Sequence, residues 1–350
     1  KTSYNGNYGL NAQWTVYNGS KRLKTIEQEK LNNRVAELDV ATSEKNIEES
    51  ITQTYVQILY AAESVKVNES TLAVSEAQCD RGKELLAAGS LSKADLAQLE
   101  AQVSTDRYQL VTAQTTLQNY KLQLKQLLEL DGEEEMNLYL PALDNSKVLS
   151  PLPTKTDVYH AALAVRPEIE SGKLNIQASE LNIDIARAGY MPSVSLSAGI
   201  GTNNTSGSDF TFAQQVKNGW NNSLGLSISV PIFNNRQTKS AVQKAKLQRE
   251  TSMLNLLDEQ KTLYKTIEGL WLDANSAQQR YVAAQEKLRS TQTSFDLVST
   301  QFNLGMKNTV ELLTEKNNLL SAQQETLQAK YMAILNAQLL KFYQGGDIEL

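Results

Sequence analysis

A single cysteine, Cys79, rules out an intrachain disulfide, and a single histidine, His160, rules out a metal centre built on histidines. A Ser-His-Asp triad would have to use His160, which sits in a helix-like run over residues 157–165, and no serine is framed as Gly-x-Ser-x-Gly. Phosphate-binding loops and dinucleotide fingerprints are missing too. Glu133, Glu134 and Glu135 follow Asp131-Gly132 and read as a solvated loop, with metal binding there the remote alternative. The chain therefore reads as a non-enzyme with no cofactor. A net charge of -5 argues against a broadly basic, nucleic-acid-binding surface. No run of 18 apolar residues occurs, so no helix is expected to cross a bilayer, which leaves a water-soluble chain or a β-barrel. No signal peptide stands at Lys1, and a mature or trimmed chain would lack one whatever its compartment.

What the chain does have is an internal repeat. Shifting the sequence by 216 residues superimposes two halves without a gap, so that Leu10 to Asn18 (LNAQWTVYN) falls on Leu226 to Asn234 (LSISVPIFN). Leu38 then meets Leu254, Ile51 meets Ile267, Gly89 meets Gly305, Leu96 meets Leu312 and Leu124 meets Leu340. Each half reads as a short alternating segment, a helix of roughly 70 residues, a Gly turn and a returning helix of roughly 35 to 40 residues. With only six prolines and long Leu/Ala/Gln/Glu/Lys/Ser stretches, nothing interrupts these helices. At 1.5 Å per residue the longer one would reach about 100 Å, more than a globular core requires, so such helices must lie side by side. The second half also carries about 60 residues, 151–216, with no counterpart in the first. The natural chain is expected to begin earlier, with an N-terminal segment that precedes Lys1.

Three ten-residue stretches alternate strictly. In residues 8–17 Tyr8, Leu10, Ala12, Trp14 and Val16 form one face; in 193–202 it is Val194, Leu196, Ala198 and Ile200; in 224–233 it is Leu224, Leu226, Ile228, Val230 and Ile232. The opposite faces are Gly, Ser, Thr, Asn and Gln. Alternation alone fits a half-buried soluble sheet equally well. Ten residues, however, is the length of a tilted membrane strand, and Tyr4, Tyr17, Tyr190, Trp220 and Phe233 lie near the strand ends, where interfacial aromatics belong. Three strands cannot seal their own edges, whereas several copies closing a barrel can. Residues 203–223 would then be an exposed hairpin loop.

The helices carry heptads: Leu96, Val103, Leu110, Leu117 and Leu124, with Leu99, Ala113, Tyr120 and Leu127 beside them, and Leu313, Leu320, Leu327 and Ile334 in the second half. At the turns, Gly89 and Gly305 suit a left-handed helix stop, Ser92 and Asn308 suit N-caps, and Asp95 and Glu311 stand three residues on as capping or first-turn acids. Lys21, Arg22 and Lys24 open the first long helix and could meet lipid headgroups, although a solvated helix face explains them as well.

With strand, long helix, Gly turn and helix repeated twice, the chain resembles the TolC-type outer-membrane efflux family. The residues that carry the resemblance are Trp14-Thr15-Val16-Tyr17-Asn18-Gly19 and its second-half equivalent Val230-Pro231-Ile232-Phe233-Asn234-Asn235, Arg166-Pro167-Glu168-Ile169, and Tyr190-Met191-Pro192 before the second alternating stretch. It implies a mainly α fold with membrane β: helical hairpins forming a trimeric α-barrel, and strands contributing to a shared 12-stranded β-barrel. It further implies barrel strands in 1–18 and 190–234, tunnel helices in 19–130 and 235–343, an equatorial region in 131–189 and 344–350, and a first strand upstream of Lys1. The function it implies is a passive outer-membrane exit duct for efflux or type I secretion. Its partners would be a periplasmic adaptor and an inner-membrane pump or ATPase, with outer-membrane lipid around the barrel. From the family's pattern, Asp95 and Lys307 would pair in a pore gate and Glu311 would form an acidic ring, while Thr314 replaces a second acid of some members. Ala88, Gly89, Ser90, Leu91, Ser92, Leu304, Gly305, Met306 and Asn308 would meet the adaptor. A soluble periplasmic coiled-coil scaffold, or an adaptor, is the competing reading.

Overall fold

In the computed structural model, which describes residues 4–131, 136–141, 145 and 148–348, the chain runs as β1 (Asn5–Asn18), α1 (Lys21–Ala87), α2 (Lys93–Leu127), α3 (Lys155–Val165), α4 (Pro167–Arg187), a 3-10 turn (Ala188–Tyr190), β2 (Ser193–Thr205), α5 (Phe212–Asn218), β3 (Asn221–Ser229), α6 (Gln237–Asn303) and α7 (Thr309–Tyr343). The repeat read from sequence governs the backbone: a shift of 216 residues carries both bounds of α1 onto α6 and both bounds of α2 onto α7. Even the strand-to-helix passages agree. Gly19 and Ser20 take φ of 66° and 65°, and their equivalents Asn235 and Arg236 take 50° and 61°. Two successive left-handed residues turn the chain from strand direction into helix direction, and three of the four pay a steric cost that glycine avoids.

The chain divides into two units, Lys1–Val40 with Pro167–Glu259, and Ala41–Arg166 with Gln260–Leu350. The first unit holds an antiparallel sheet in the order β1-β2-β3. Register places Tyr17, Val194 and Ile228 in one row, Trp14, Leu196 and Leu226 in the next, and Ala12, Ala198 and Leu224 in the third. The apolar residues of all three strands therefore share one face, and Gln13, Ser197 and Gly225 or Thr15, Ser195 and Ser227 share the other. Three details differ from the sequence expectation. Val16 does not continue the apolar row, because a register shift between Thr15 and Tyr17 puts Tyr17 opposite Val194. β3 begins at Asn221 and ends at Ser229, so Val230 to Phe233 lie outside it; Pro231, with no N–H, cannot extend the ladder. Residues 203–223 are not a plain loop: β2 continues to Thr205 and α5 follows, closed by a capping box between Thr211 and Gln214.

In the same unit α4 is tied to both long helices. Gln28 Nε2 donates to Ala178 O at 3.0 Å, and Arg249 Nε reaches Glu180 Oε1 at 2.9 Å. The second unit centres on a core that includes Val56, Leu59, Ala277, Tyr281, Ile334 and Leu339, contributed by α1, α6 and α7. Arg166 divides α3 from α4: it is extended (ψ 124°) because Pro167 follows. Its guanidinium lies 4.2 Å from the centre of the Tyr343 ring. The 148–155 segment is held to α6 by Trp271 Nε1 donating to Pro153 O at 3.0 Å and Gln278 Nε2 donating to Ser150 O at 2.8 Å.

Candidate functional site: a sheet face and two helix tips

The apolar sheet face is uncovered in the chain. Leu10, Leu224 and Leu226 are 70%, 78% and 66% exposed, and Trp14 and Ile228 are also exposed. A soluble sheet covers such a face, because each large aliphatic side chain left in water forfeits about 1.5–3 kcal/mol. Among the described residues, no helix is long and apolar enough to cross a membrane. The sheet is thus the part of the chain whose chemistry suits lipid.

The tips of the helical hairpins lie in the second unit and mirror one another. Gly89 and Gly305 take φ of 73° and 75°. Ser90 N donates to Leu85 O at 2.9 Å, and Met306 N donates to Gln301 O at 2.8 Å, so both long helices close with the same left-handed stop. The returning helices are capped as their sequence signals indicate. Ser92 Oγ accepts from Asp95 N at 3.1 Å, and Asn308 Oδ1 accepts from Glu311 N at 2.9 Å. Beneath the tips Cys79, Leu99, Phe295, Phe302, Leu312 and Leu319 pack together. Burial pushes the Cys79 thiol pKa up, which disfavours a reactive thiolate.

The structure brings two of the expected gate residues, Lys307 and Glu311, together. Lys307 Nζ lies 2.5 Å from Glu311 Oε1, one helical turn away. Asp95 instead accepts from its own cap, Ser92 Oγ to Oδ2 at 2.6 Å. Within the chain, then, the lysine of the second tip pairs with Glu311 and not with Asp95; the i,i+4 spacing at the start of α7 makes the local partner geometrically the nearer one. The Lys307 bond, and then the bond from Asn308 N at 3.2 Å, hold the Glu311 carboxyl below its ordinary pKa. Thr314 Oγ1 donates to Val310 O at 2.8 Å. Leu304 and Met306 stand 70% exposed at the second tip, with Val310 also exposed, whereas Leu91 at the first tip is half-buried against the tip core.

One cluster escaped the sequence reading. Lys316 on α7 is bonded to Asp106 on α2 and to Ser75 on α1, with side chains 3% and 1% exposed for the ion pair. Ser75 Oγ donates to Asp106 Oδ2 at 2.5 Å, and Gln102 Nε2 donates to Asp106 Oδ1 at 2.9 Å. The signal was available: Asp106 fills the one place missing from the seam Leu99, Ala113, Tyr120, Leu127. Burial pushes the Lys316 pKa down, opposed by the carboxylate beside it. No group of three or more His, Cys, Asp or Glu suited to a metal occurs among the described residues, and Glu133, Glu134 and Glu135 lie outside them.

A lipid-suited sheet joined in sequence to duplicated helical hairpins is the architecture of an outer-membrane protein. The profile of the family described as "Outer membrane efflux protein" matches residues 158–346, and the chain belongs to that family. It is similar to the outer membrane protein TolC of Salmonella enteritidis, with 23% identity over 341 residues, covering 95% of this chain and 67% of that protein. Against TolC of Escherichia coli (strain K12) identity is 24% over 304 residues, covering 83% of this chain and 59% of that protein. The chain thus spans about two thirds of the length of the first of these relatives and 59% of the second. Among solved structures, CusC superimposes with a TM-score of 0.82 at 20% identity, covering 99% of this chain and 83% of that one. The protein is therefore an outer-membrane component of the efflux and export class, and the soluble scaffold and adaptor readings are not favoured.

Proposed function

We propose that three copies of the chain close one passive duct, with the sheets combined into a barrel and the helical hairpins into a tunnel. The observation that carries this reading is the shared apolar face of β1, β2 and β3, together with outer edges of β1 and β3 that have no partner among the described residues. In hydrocarbon an unpaired strand edge costs several kcal/mol for each polar group, so the edges must be closed by further strands. Strands of neighbouring copies would supply them. On this reading residues 1–18 and 190–234 serve the barrel, 19–130 and 235–343 the tunnel, and 131–189 with 344–350 an equatorial region.

The tips form the periplasmic gate and the docking place of an adaptor, while an inner-membrane pump or ATPase supplies the energy. Asp95 on one tip, and the Lys307–Glu311 pair on the other, stand where links between neighbouring tips can form, and three Glu311 carboxylates about a narrow axis would favour cations. The exposed Leu304, Met306 and Val310 suit contact with an apolar helical partner. The full-length protein, purified and reconstituted in planar bilayers, is expected to behave as a trimer with low resting conductance, raised by Asp95→Ala or Lys307→Ala. A monomer that stays soluble without detergent would overturn the duct, and unchanged single-channel current in both variants would overturn the gate.

A further inference from the structure

The apolar face of the sheet has an outer end, and α5 lies across it. Along that face the rows run Trp14-Leu196-Leu226, Ala12-Ala198-Leu224 and Leu10-Ile200-Asn222, and then Tyr8-Thr202. The next pair on the same face, Gly6 and Asn204, is a glycine and an amide. The aliphatic band therefore stops at Leu10 and Ile200, and Tyr8 and Thr202 mark its edge. Both of them hold α5. The Phe212 ring stands edge-on to the Tyr8 ring, with centroids 6.3 Å apart and planes at 87°. Thr202 Oγ1 donates to Val216 O at 2.8 Å. Tyr8 and Thr202 share the face of Leu10 and Ile200, so α5 crosses the apolar side of the sheet and not the polar one.

With only seven residues, α5 cannot hold its helix unaided. Side chains fasten it. Besides the Thr211–Gln214 capping box, Gln215 Oε1 accepts from Thr205 N at 2.8 Å, and Gln215 Nε2 donates to Phe210 O at 2.8 Å. These bonds tie the helix to β2 and leave its rings uncovered: Phe210, Phe212 and Trp220 are all exposed, as is Tyr4 beside the start of β1. A hairpin loop in water gains nothing from exposing such rings. The apolar surface instead runs on from Leu10 through Tyr8 to Phe212, so whatever covers the sheet face covers α5 as well. The charges of this segment are few, with Asp209 and Lys217 alone in residues 203–223.

We propose that α5, with Phe210, Phe212 and Trp220, is an interfacial anchor that rests on lipid, in the headgroup boundary of the leaflet at the end of the sheet opposite the starts of α1 and α6. The assignment rests on the reading that the sheet lies in a bilayer. Aromatic rings favour this boundary, where one edge meets acyl chains and the other meets headgroups. The anchor fixes the depth of the sheet. Sliding the sheet toward its helix end would draw Asp209 and Lys217 into hydrocarbon, and sliding it the other way would strip the rings of lipid.

The test attaches a nitroxide to Ala213→Cys in the full-length protein in phosphatidylcholine vesicles, with Cys79→Ala removing the one native thiol. Labels at Leu226→Cys and Asp209→Cys serve as references. Power-saturation electron paramagnetic resonance reads collisions with oxygen, which concentrates in hydrocarbon, and with a water-soluble nickel chelate. The oxygen-to-nickel ratio at position 213 is expected to lie between the high value at 226 and the low value at 209. Adding Phe210→Ser/Phe212→Ser should lower it to the value at 209 and leave 226 unchanged. A ratio at 213 that already equals that at 209, or one that the serine variant does not move, would overturn the anchor. So would few collisions with both probes at 213, which would mean that a second copy of the chain covers the helix. The label at 226 keeps the two readings apart. A high ratio there with a water-like one at 213 removes the anchor alone, whereas water-like ratios at both, or a protein that does not insert, remove the bilayer reading with it.

Discussion

The Lys316 ammonium of α7 meets the Asp106 carboxylate of α2 inside a dry seam, and Ser75 of α1 bonds to both. α7 is therefore tied at one point to the consecutive helices α1 and α2, more than 200 residues earlier in the chain. Such a pair adds little net stability over an apolar substitute, because desolvation opposes the attraction, but losing one member leaves the other charge stranded. Lys316→Met is expected to destabilise the helical unit by about 3–5 kcal/mol. Lys316→Met/Asp106→Leu should recover most of that loss. Denaturant unfolding of the four proteins of the double-mutant cycle measures it, and equal costs for the single and double variants would contradict the pairing.

Glu311 gives a pH prediction. Its carboxyl pKa lies below the ordinary value, chiefly through Lys307 and then through the Asn308 N–H. A folded pKa below the unfolded one means that the contribution is fully present above the unfolded value and is lost as pH falls through the folded one. The start of α7 is therefore expected to keep its order as pH drops past the normal carboxylate range and to loosen only below it. Carboxyl-carbon NMR titration reads the pKa directly. Glu311→Gln should remove this pH dependence of amide exchange around Asn308.

Two glycines separate conformational cost from steric cost. At Gly89 a Cβ would meet nothing within 4 Å, so Gly89→Ala is charged only for its left-handed φ of 73°, about 1–2 kcal/mol. At Gly19, also left-handed, a Cβ would stand 2.6 Å from Met191 Cβ and 2.9 Å from Ala188 O. Gly19→Ala is expected to be the more damaging change, seen as lower yield of folded protein from denaturant. Met191→Ala should not rescue it, because the clash is with a Cβ that alanine retains; Met191→Gly should relieve it in part.

The two sheet faces should respond oppositely to charge. Leu224→Arg, in the row with Ala12 and Ala198, is expected to lower stability in bilayers by about 2–4 kcal/mol. Ser227→Lys, on the face shared with Ser195 and Thr15, should leave assembly unchanged and shift reversal potential toward anions. Folding titrations into vesicles and single-channel recordings measure the two effects; equal destabilisation by both would refute the facing.

The sequence by itself determined the repeat, the four helices that carry it and their stops and caps, because these depend on interactions within a few residues. Gly at a left-handed stop, Ser92 or Asn308 bonding the amide three residues on, and heptad spacing are local facts, and α1, α2, α6 and α7 end where those signals stand. It also determined the alternation of the strands. The tertiary structure decided what depends on pairing. It set the bulge that replaces Val16 by Tyr17 in the apolar row, and the α5 insertion before β3. The third strand stops before Pro231, which has no N–H to give the ladder, and where it begins is set by its partner, β2. Only the fold showed that Asp106 answers Lys316 across 210 residues and that Lys307 takes Glu311 as its partner in the chain. The sequence marks Asp106 as a charge in an otherwise apolar seam but not its partner, because the energy of a long-range charge pair depends on distance and on exclusion of water, and both come into being only when the helices meet.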